Sequence, residues 1–443
     1  MENKKDISLI IDKLLNNKNN AVSYVFKDAK LNKNGILANK VFTVKDNYAD
    51  VNVPCTGSSL FLSNFKPQYK ATVIKLLEEN GACCVARTNL DEFGLGGSGE
   101  YSAHGLIKNP LNLNHLVGGS SSGAAATFDE DIDFAIGSDT GDSVRKPASN
   151  IGKIGFKPSY GAISRYGLFA FASSLDTVAY FTHNVKDLIE ISSILYKQDF
   201  SKDMTSLNLS FNAEDILEVK PKKVAYLNCF DKLNPSIANA YKKFLNKLEN
   251  AGIELIEIFE DIKILNSIDV IYKVIAFSEA SSNLANLTGV SFGQREEGKN
   301  WVETFQKTRS KYLGKMVQSR LILGSYFLEA SNQIKYFVKA KKMRRVLIEY
   351  FEKIHNMADV FIFPASNDVA PEINKKPEYV SYLDYILTYA NLVGNPSLSI
   401  KLGFDSKTNL PFNIAIDCKR NQDTKLFSHA LYLEKKLGEL NEK

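Results

Sequence analysis

Histidine and cysteine are scarce in this chain, and their scarcity removes several chemistries at once. Only five histidines stand in 443 residues: His104, His115, His183, His355 and His429. A nucleophile–histidine–carboxylate relay therefore has few partners to draw on. The five cysteines (Cys55, Cys83, Cys84, Cys229, Cys418) are odd in number, scattered and without C-x-x-C spacing. That argues against a disulfide framework and a structural zinc site. The sequence also lacks a run of 18 apolar residues, so no membrane span is expected. The N-terminal stretch is amphipathic rather than apolar, so no signal peptide is expected either. Net charge is only +5. That is too mild for a dedicated nucleic-acid binder, although it allows weak attraction to RNA. No internal repeat or low-complexity segment is present. The expectation is a reduced, cytoplasmic protein with no membrane association and a 44% hydrophobic composition able to build a large core.

Small and hydroxylated residues, in contrast, are concentrated in two stretches. The first is Gly118-Gly119-Ser120-Ser121-Ser122-Gly123-Ala124-Ala125-Ala126. The second is Gly137-Ser138-Asp139-Thr140-Gly141-Asp142-Ser143-Val144-Arg145. Glycine lets backbone approach backbone or ligand closely, and serines with free N–H groups supply a nucleophile, a relay and oxyanion donors. The first stretch formally matches G-x-S-x-G, yet Pro- and Asn-rich residues precede it where a nucleophile elbow needs a strand. It lacks the G-K-[ST] ending of a P-loop and the G-x-G-x-x-G of a dinucleotide site. By itself it reads as a Gly/Ser turn opening a helix at Ala124. A third stretch, Val41-Phe42-Thr43-Val44-Lys45-Asp46-Asn47, reads as a buried strand delivering a lysine into an Asp-Asn turn.

In this order, the three stretches resemble the amidase signature family. The match continues through Gly155-Phe156-Lys157-Pro158-Ser159-Tyr160-Gly161, Ser164-Arg165-Tyr166-Gly167-Leu168 and Ser173-Ser174-Leu175-Asp176-Thr177, and covers nearly the whole chain. The resemblance implies Lys45 as catalytic lysine, Ser120 as bridging serine joined to Gly119 by a cis peptide, and Ser143 as nucleophile. It implies an oxyanion hole from the N–H groups around Thr140, Gly141 and Asp142. A lysine serves as base only when neutral, which burial favours. Asp142 stands where the family usually has glycine. A carboxylate facing an oxyanion opposes catalysis, so its side chain is expected to point away, leaving only its N–H at the site.

The rest of the chain reads as an α/β fold: one domain over residues 1–443, a mixed central sheet with helices on both faces, and a mainly helical insertion around residues 265–350. Apolar periodicity predicts helices at residues 7–16 and 73–80, and a last one at about 424–440. Asn234-Pro235 opens another, which runs to Gly252. Strands are expected at residues 82–86, 133–136, 253–259, 359–364, 398–402 and 413–418. Residues 196–221 read as a loop or subdomain edge.

Blocks outside the serines resemble one branch of the family, the A subunits of aspartyl/glutamyl-tRNA amidotransferases. They are Asn89-Leu90-Asp91-Glu92-Phe93-Gly94-Leu95-Gly96, Ser278-Glu279-Ala280-Ser281-Ser282-Asn283-Leu284, and Arg309-Ser310-Lys311-Tyr312-Leu313-Gly314 leading to Arg320. The resemblance implies a glutaminase. Arg320 would bind the α-carboxylate of glutamine, and Asp384 its α-ammonium. Phe292 would stand where a tyrosine is usual, without the hydroxyl. It implies no metal or cofactor in this chain. ATP and magnesium would act on a partner B subunit, which would also make most of the contact with misacylated tRNA, and a small C subunit would brace the pair. A free-standing amidase and an inactive scaffold are the alternatives.

Overall fold

A computed structural model describes residues 5–375 and 380–441. Its strands are β1 (Val22–Val25), β2 (Val41–Lys45), β3 (Cys83–Thr88), β4 (Lys108–Asn109), β5 (Asn112–Leu116), β6 (Phe134–Asp139), β7 (Ile154–Lys157), β8 (Thr177–Thr182), β9 (Lys223–Asn228), β10 (Glu254–Phe259), β11 (Val360–Pro364), β12 (Ser397–Phe404) and β13 (Pro411–Asp417). The helices are α1 (Ile7–Leu15), α2 (Thr72–Glu79), α3 (Ser122–Ala126), α4 (Arg145–Ile151), α5 (Val185–Leu195), α6 (Pro235–Asn250), α7 (Ile262–Asn283), α8 (Trp301–Tyr312), α9 (Lys315–Leu328), α10 (Lys339–Met357), α11 (Tyr389–Val393) and α12 (Asp423–Asn441). Among the described residues, eleven strands form one mixed sheet in the order β1-β3-β2-β6-β8-β7-β12-β13-β11-β9-β10. Its β3-β2-β6 and β11-β9-β10 segments are parallel and the pairings between them antiparallel.

The period-2 alternation of side chains sends each strand's residues to two different cores. Phe42, Val44, Phe134, Ile136, Phe156, Tyr180, Leu398 and Ile414 face α2, α5, α6 and α12. Val41, Ala135 and Phe181 face α1, α3 and α4, and farther along the same side Ala225, Phe361 and Phe363 face α7, α9, α10 and α11. Lys45, in step with Val41 and Thr43, falls on the α3/α4 side. That side carries both serine-rich stretches.

Local chemistry explains the element ends. Asn234 caps α6, its side chain accepting the Ser236 N–H, with Pro235 in the first turn. The helix ends at Asn250 rather than running to Gly252, which lies at φ +73° before β10. Strand β6 runs three residues beyond the expected end at Ile136, because Gly137, Ser138 and Asp139 keep pairing with β8. The sequence reading also omitted β1, β4, β5, β7, β8 and β9. Between β10 and β11 the described residues form no strand; α7, α8, α9 and α10 follow one another there.

Candidate active site

Strand β2 lies between β3 and β6, parallel to both, and ends in Lys45. The lysine is fully buried. Its Nζ donates to Ser120 Oγ at 2.8 Å, to Ser138 Oγ at 2.9 Å and to the Ser138 carbonyl at 3.3 Å. Asn47 Nδ2 donates to the same Ser138 hydroxyl at 3.0 Å, fixing it. Burial lowers the Lys45 pKa from 10.5 to about 7, against the opposing fields of Asp91, Asp139 and Asp176. A lysine so placed is partly neutral at physiological pH and can act as a base.

The loop bearing Ser120 is held by its close neighbours. The Gly119–Ser120 peptide is cis. Asp91 Oδ2 accepts the N–H groups of Gly97, Ser98 and Gly99, and Oδ1 that of Tyr101. The Asp91 N–H donates to the Ser120 carbonyl at 3.2 Å, and the Gly119 N–H to the Gly97 carbonyl at 2.9 Å. A Cβ on Gly119 would fall 2.2 Å from Asp91 Oδ2. Farther along, a Cβ on Gly123 would fall 2.3 Å from the Ala21 carbonyl oxygen and 2.5 Å from that of Asn89. The glycines here make room for neighbouring chain.

Ser143 follows β6 in the turn that leads to α4. Its hydroxyl makes no hydrogen bond among the described residues, while its carbonyl accepts the Ser121 N–H at 3.1 Å and so joins the two serine stretches. The turn hangs on a buried ion pair. Arg145 Nη2 meets Asp139 Oδ1 at 3.0 Å and Nε meets Oδ2 at 3.2 Å. The same guanidinium donates to the Gly141 carbonyl, Leu387 carbonyl, Ser397 Oγ and Asn391 Oδ1. Because a trans peptide sets its C=O and N–H in opposite directions, holding the Gly141 carbonyl on Arg145 turns the Asp142 N–H away from that cation. The N–H groups of Thr140, Gly141, Asp142 and Ser143 meet no acceptor among the described residues. Thr140 Oγ1 donates to Asp176 Oδ1 at 2.7 Å. Burial pushes Asp176 up to about 6, and a hollow of about 160 Å³ lined by Arg165, Tyr166, Ser173 and Asp176 reaches this anchor.

The residues expected at the substrate are spread around this centre. Arg320, on α9, donates through Nη2 to the Gly96 carbonyl at 3.0 Å and lies 5.0 Å from the centre of the Phe277 ring. It has no ion pair among the described residues. Asp384 caps its own short helical turn, Oδ2 accepting the Ser381 N–H at 2.8 Å. Phe292 packs on Phe65 with ring centres 5.6 Å apart, and Phe65 on Phe169, whose N–H donates to the Asn47 carbonyl. Asp142 is half-buried, and its carboxylate carries neither a hydrogen bond nor an ion pair among the described residues. Burial pushes its carboxyl up to about 6, Asp139 adds to this, and Lys146, Arg145 and Arg320 oppose it.

Four residues of the site were not singled out from the sequence: Ser138, Asp139, Asp176 as the anchor of Thr140, and Tyr272 of α7. A Cβ on Gly141 would fall 3.1 Å from Tyr272 Cζ and 3.2 Å from its Oη. Ser138 and Asp139 lie inside the second glycine-rich stretch, which marked them only by position. Tyr272 left no local signal. No group of three His, Cys, Asp or Glu side chains able to hold a metal occurs among the described residues, and no described helix is long and apolar enough to cross a membrane.

Comparison with known proteins gives one consistent result. The family model described as Amidase matches residues 14–427. The chain is 37% identical over 437 residues to the A subunit of glutamyl-tRNA(Gln) amidotransferase from Mycoplasma genitalium, covering 96% of this chain and 91% of that one. It is 35% identical to the protein of the same name from Mycoplasma pneumoniae, covering 94% and 90%. Among solved structures, the A subunit of glutamyl-tRNA(Gln) amidotransferase from Thermotoga maritima is similar at 30% identity with a TM-score of 0.81, over 98% of this chain and 92% of that one. A 6-aminohexanoate cyclic dimer hydrolase shares the fold at 19% identity, with a TM-score of 0.80 over 97% and 93%.

Proposed function

This chain belongs to the amidase family of amidohydrolases, and from that membership we propose that it is the glutamine-hydrolysing subunit of a tRNA-dependent amidotransferase. The observation that carries the reading is the fully buried, depressed-pKa Lys45 on Ser120 Oγ, with the Ser143 backbone tied to the neighbouring Ser121. The similarity to named amidotransferase A subunits over nearly the full length supports the choice of branch.

In this reading neutral Lys45 takes a proton from Ser120 as Ser120 takes one from Ser143, and Ser143 Oγ attacks the side-chain amide carbon of glutamine. The 2.8 Å contact between Lys45 Nζ and Ser120 Oγ serves both protonation states. It carries the lysine's proton outward when Nζ is charged and the serine's proton inward when it is not. Ser143 closes onto Ser120 once substrate is seated, as catalytic hydrogen bonds commonly tighten only then. The negative charge that develops on the amide oxygen meets the N–H groups of the Thr140–Ser143 turn, each such donor being worth about 3 kcal/mol in the transition state. Collapse expels the amide nitrogen as ammonia, which takes the relayed proton. Water, deprotonated by the same relay, then releases glutamate and restores Ser143.

In this reading Arg320 pairs with the substrate α-carboxylate, and Phe292, packed on Phe65, contributes an apolar surface. The ammonia serves a cytoplasmic complex in which the B subunit uses ATP and magnesium to activate Glu-tRNA(Gln) or Asp-tRNA(Asn) and makes most of the tRNA contact. The C subunit braces the two, and this chain needs no cofactor of its own.

The test is ammonia release from glutamine by the purified chain, by itself and co-expressed with candidate B and C subunits. Turnover is expected to rise with the partners and to fall about 10⁴-fold in Ser143→Ala. Turnover of simple amides with glutamine ignored would replace this reading with that of a free-standing amidase.

A further inference from the structure

Asp142 precedes the nucleophile in the chain, and its carboxylate has no ion pair or hydrogen bond among the described residues. The cations whose fields reach it, Lys146, Arg145 and Arg320, form no ion pair with it. Arg145 is spent on Asp139, Gly141, Leu387, Ser397 and Asn391, and Lys146 Nζ donates to Ser366 Oγ at 2.5 Å. Left alone, its charge would oppose the oxyanion that forms one residue away. An anion in that position is tolerable when the substrate itself brings a positive charge.

The other charge needed to recognise an amino acid is close by. Arg320 has no ion pair among the described residues, and it is tied to the serine loop. It donates to the Gly96 carbonyl, and the carbonyl of neighbouring Gly97 accepts the Gly119 N–H. The turn that carries Asp142 is tied to the same loop, since the carbonyl of neighbouring Ser143 accepts the Ser121 N–H. Helix α7 touches both. Phe277 lies under the Arg320 guanidinium and Tyr272 lies against Gly141. Five residues separate these two contacts, about 7.5 Å along the helix. A cation and an anion, neither in an ion pair among the described residues, are thus tied to the loop of Ser120 and the turn of Ser143, and the fields of both reach Tyr272.

We propose that Asp142 receives the α-ammonium of the glutamine substrate while Arg320 holds its α-carboxylate; this rests on the glutamine-hydrolysing reading above. Asp384, expected in that role, has one carboxylate oxygen accepting the Ser381 N–H of its own turn. In this proposal the Asp142 side chain faces the substrate, where the sequence alone led to the expectation that it points away. It also gives the substitution a purpose. With glutamine bound, the ammonium neutralises Asp142, whereas an amide without that group leaves the carboxylate facing the oxyanion. The enzyme therefore selects amino-acid amides at binding and again in the chemical step.

The experiment compares L-glutamine with glutaramate, which is glutamine with hydrogen in place of the ammonium. Ammonia release is measured in the full chain co-expressed with its candidate partner subunits, for the native protein, Asp142→Asn, Asp142→Gly and Asp384→Asn. The ratio of kcat/KM for glutamine to that for glutaramate is expected to fall about 10- to 100-fold in both Asp142 variants, as for loss of a hydrogen bond between charged groups. A raised KM for glutamine and an improved kcat for glutaramate would both contribute. Asp384→Asn is expected to move the ratio by less than about threefold. Circular dichroism and melting curves establish that each variant is folded, and Asp142→Gly restores the family's usual residue should asparagine disturb the turn. Equal losses on both substrates would overturn the proposal, because they would place Asp142 in the turn's geometry alone. So would a ratio that collapses in Asp384→Asn and not at Asp142. Failure of the underlying reading looks different: the native protein itself would release ammonia from glutaramate and none from glutamine.

Discussion

Lys45 shows how burial alone can turn a cation into a base. Its native pKa lies near 7 against 10.5 in the free side chain, with desolvation the leading cause. The neutral form is the active one, so kcat/KM for amide hydrolysis is expected to rise with pH through a midpoint near 7 and level off above it; a flat profile from pH 6 to 9 would remove Lys45 from the relay. The same shift fixes the sign of a stability effect. Between pH 7 and 10.5 the unfolded chain holds a proton at Lys45 that the folded one lacks, so this group's contribution to stability rises with pH across that window. Its penalty is full below pH 7. Lys45→Met removes the penalty, and its advantage in urea unfolding over the native protein is expected to be about 2–3 kcal/mol larger at pH 6 than at pH 9. Lys45, Ser120 and Ser143 were legible because three short motifs come in a fixed order. Ser138, the second hydroxyl on Lys45, was not, because the strand seemed to stop two residues earlier. Tyr272 was invisible for a different reason: it meets Gly141 across more than a hundred residues of chain, and a single sequence carries no trace of such a contact.

Elements with a long apolar period were readable to within a residue or two: α1, α2, α12 and β10 lie nearly where alternation or a 3.6-residue repeat puts them. Helix α3 was read only from its Gly/Ser turn and α4 not at all, since seven residues or fewer give no period, and α4 even contains Pro147. Their existence depends on what they pack against. For α3 that is a backbone approach at Gly123, where any Cβ would collide with two carbonyl oxygens of the chain, at Ala21 and Asn89. Neither oxygen can rotate away as a side chain would. Gly123→Ala is therefore expected to cost about 1–3 kcal/mol and to lower turnover, because moving α3 shifts Ser120 against Lys45. Gly438 in α12 is the contrast: nothing lies within 4 Å of its added Cβ, so Gly438→Ala is expected to stabilise by about 0.5–1 kcal/mol. Melting curves of the two variants decide the point, and similar small shifts in both would show that α3 can be displaced without strain.

The sheet is assembled from two parts of the chain that meet late. Strands β1 to β8 that belong to it come from the first 182 residues, β9 to β13 from beyond residue 222, and the antiparallel pair β7–β12 closes the seam. Family resemblance told which fold to expect, but nothing in the order of motifs said that the nucleophile turn is held from across that seam. Asn391 does much of the holding. Its Oδ1 accepts from Arg145 Nη2 at 2.7 Å, and its Nδ2 donates to both the carbonyl and Oδ1 of Asp139 at 3.0 Å. Asp139 and Arg145 in turn set the Gly141 carbonyl and so the direction of the N–H groups before Ser143. Removing the amide leaves a fully buried guanidinium and carboxylate each short of a partner, where water does not reach to replace it. Asn391→Ala is thus expected to lose about 2–4 kcal/mol in urea unfolding and to lower kcat at least about tenfold under conditions where it remains folded, with a smaller change in KM. A variant equally destabilised but fully active would mean that the turn keeps its shape by itself. Loss of both would mean that formation of the site and closure of the sheet are one event, so that the amidase cannot be active before its last third has folded.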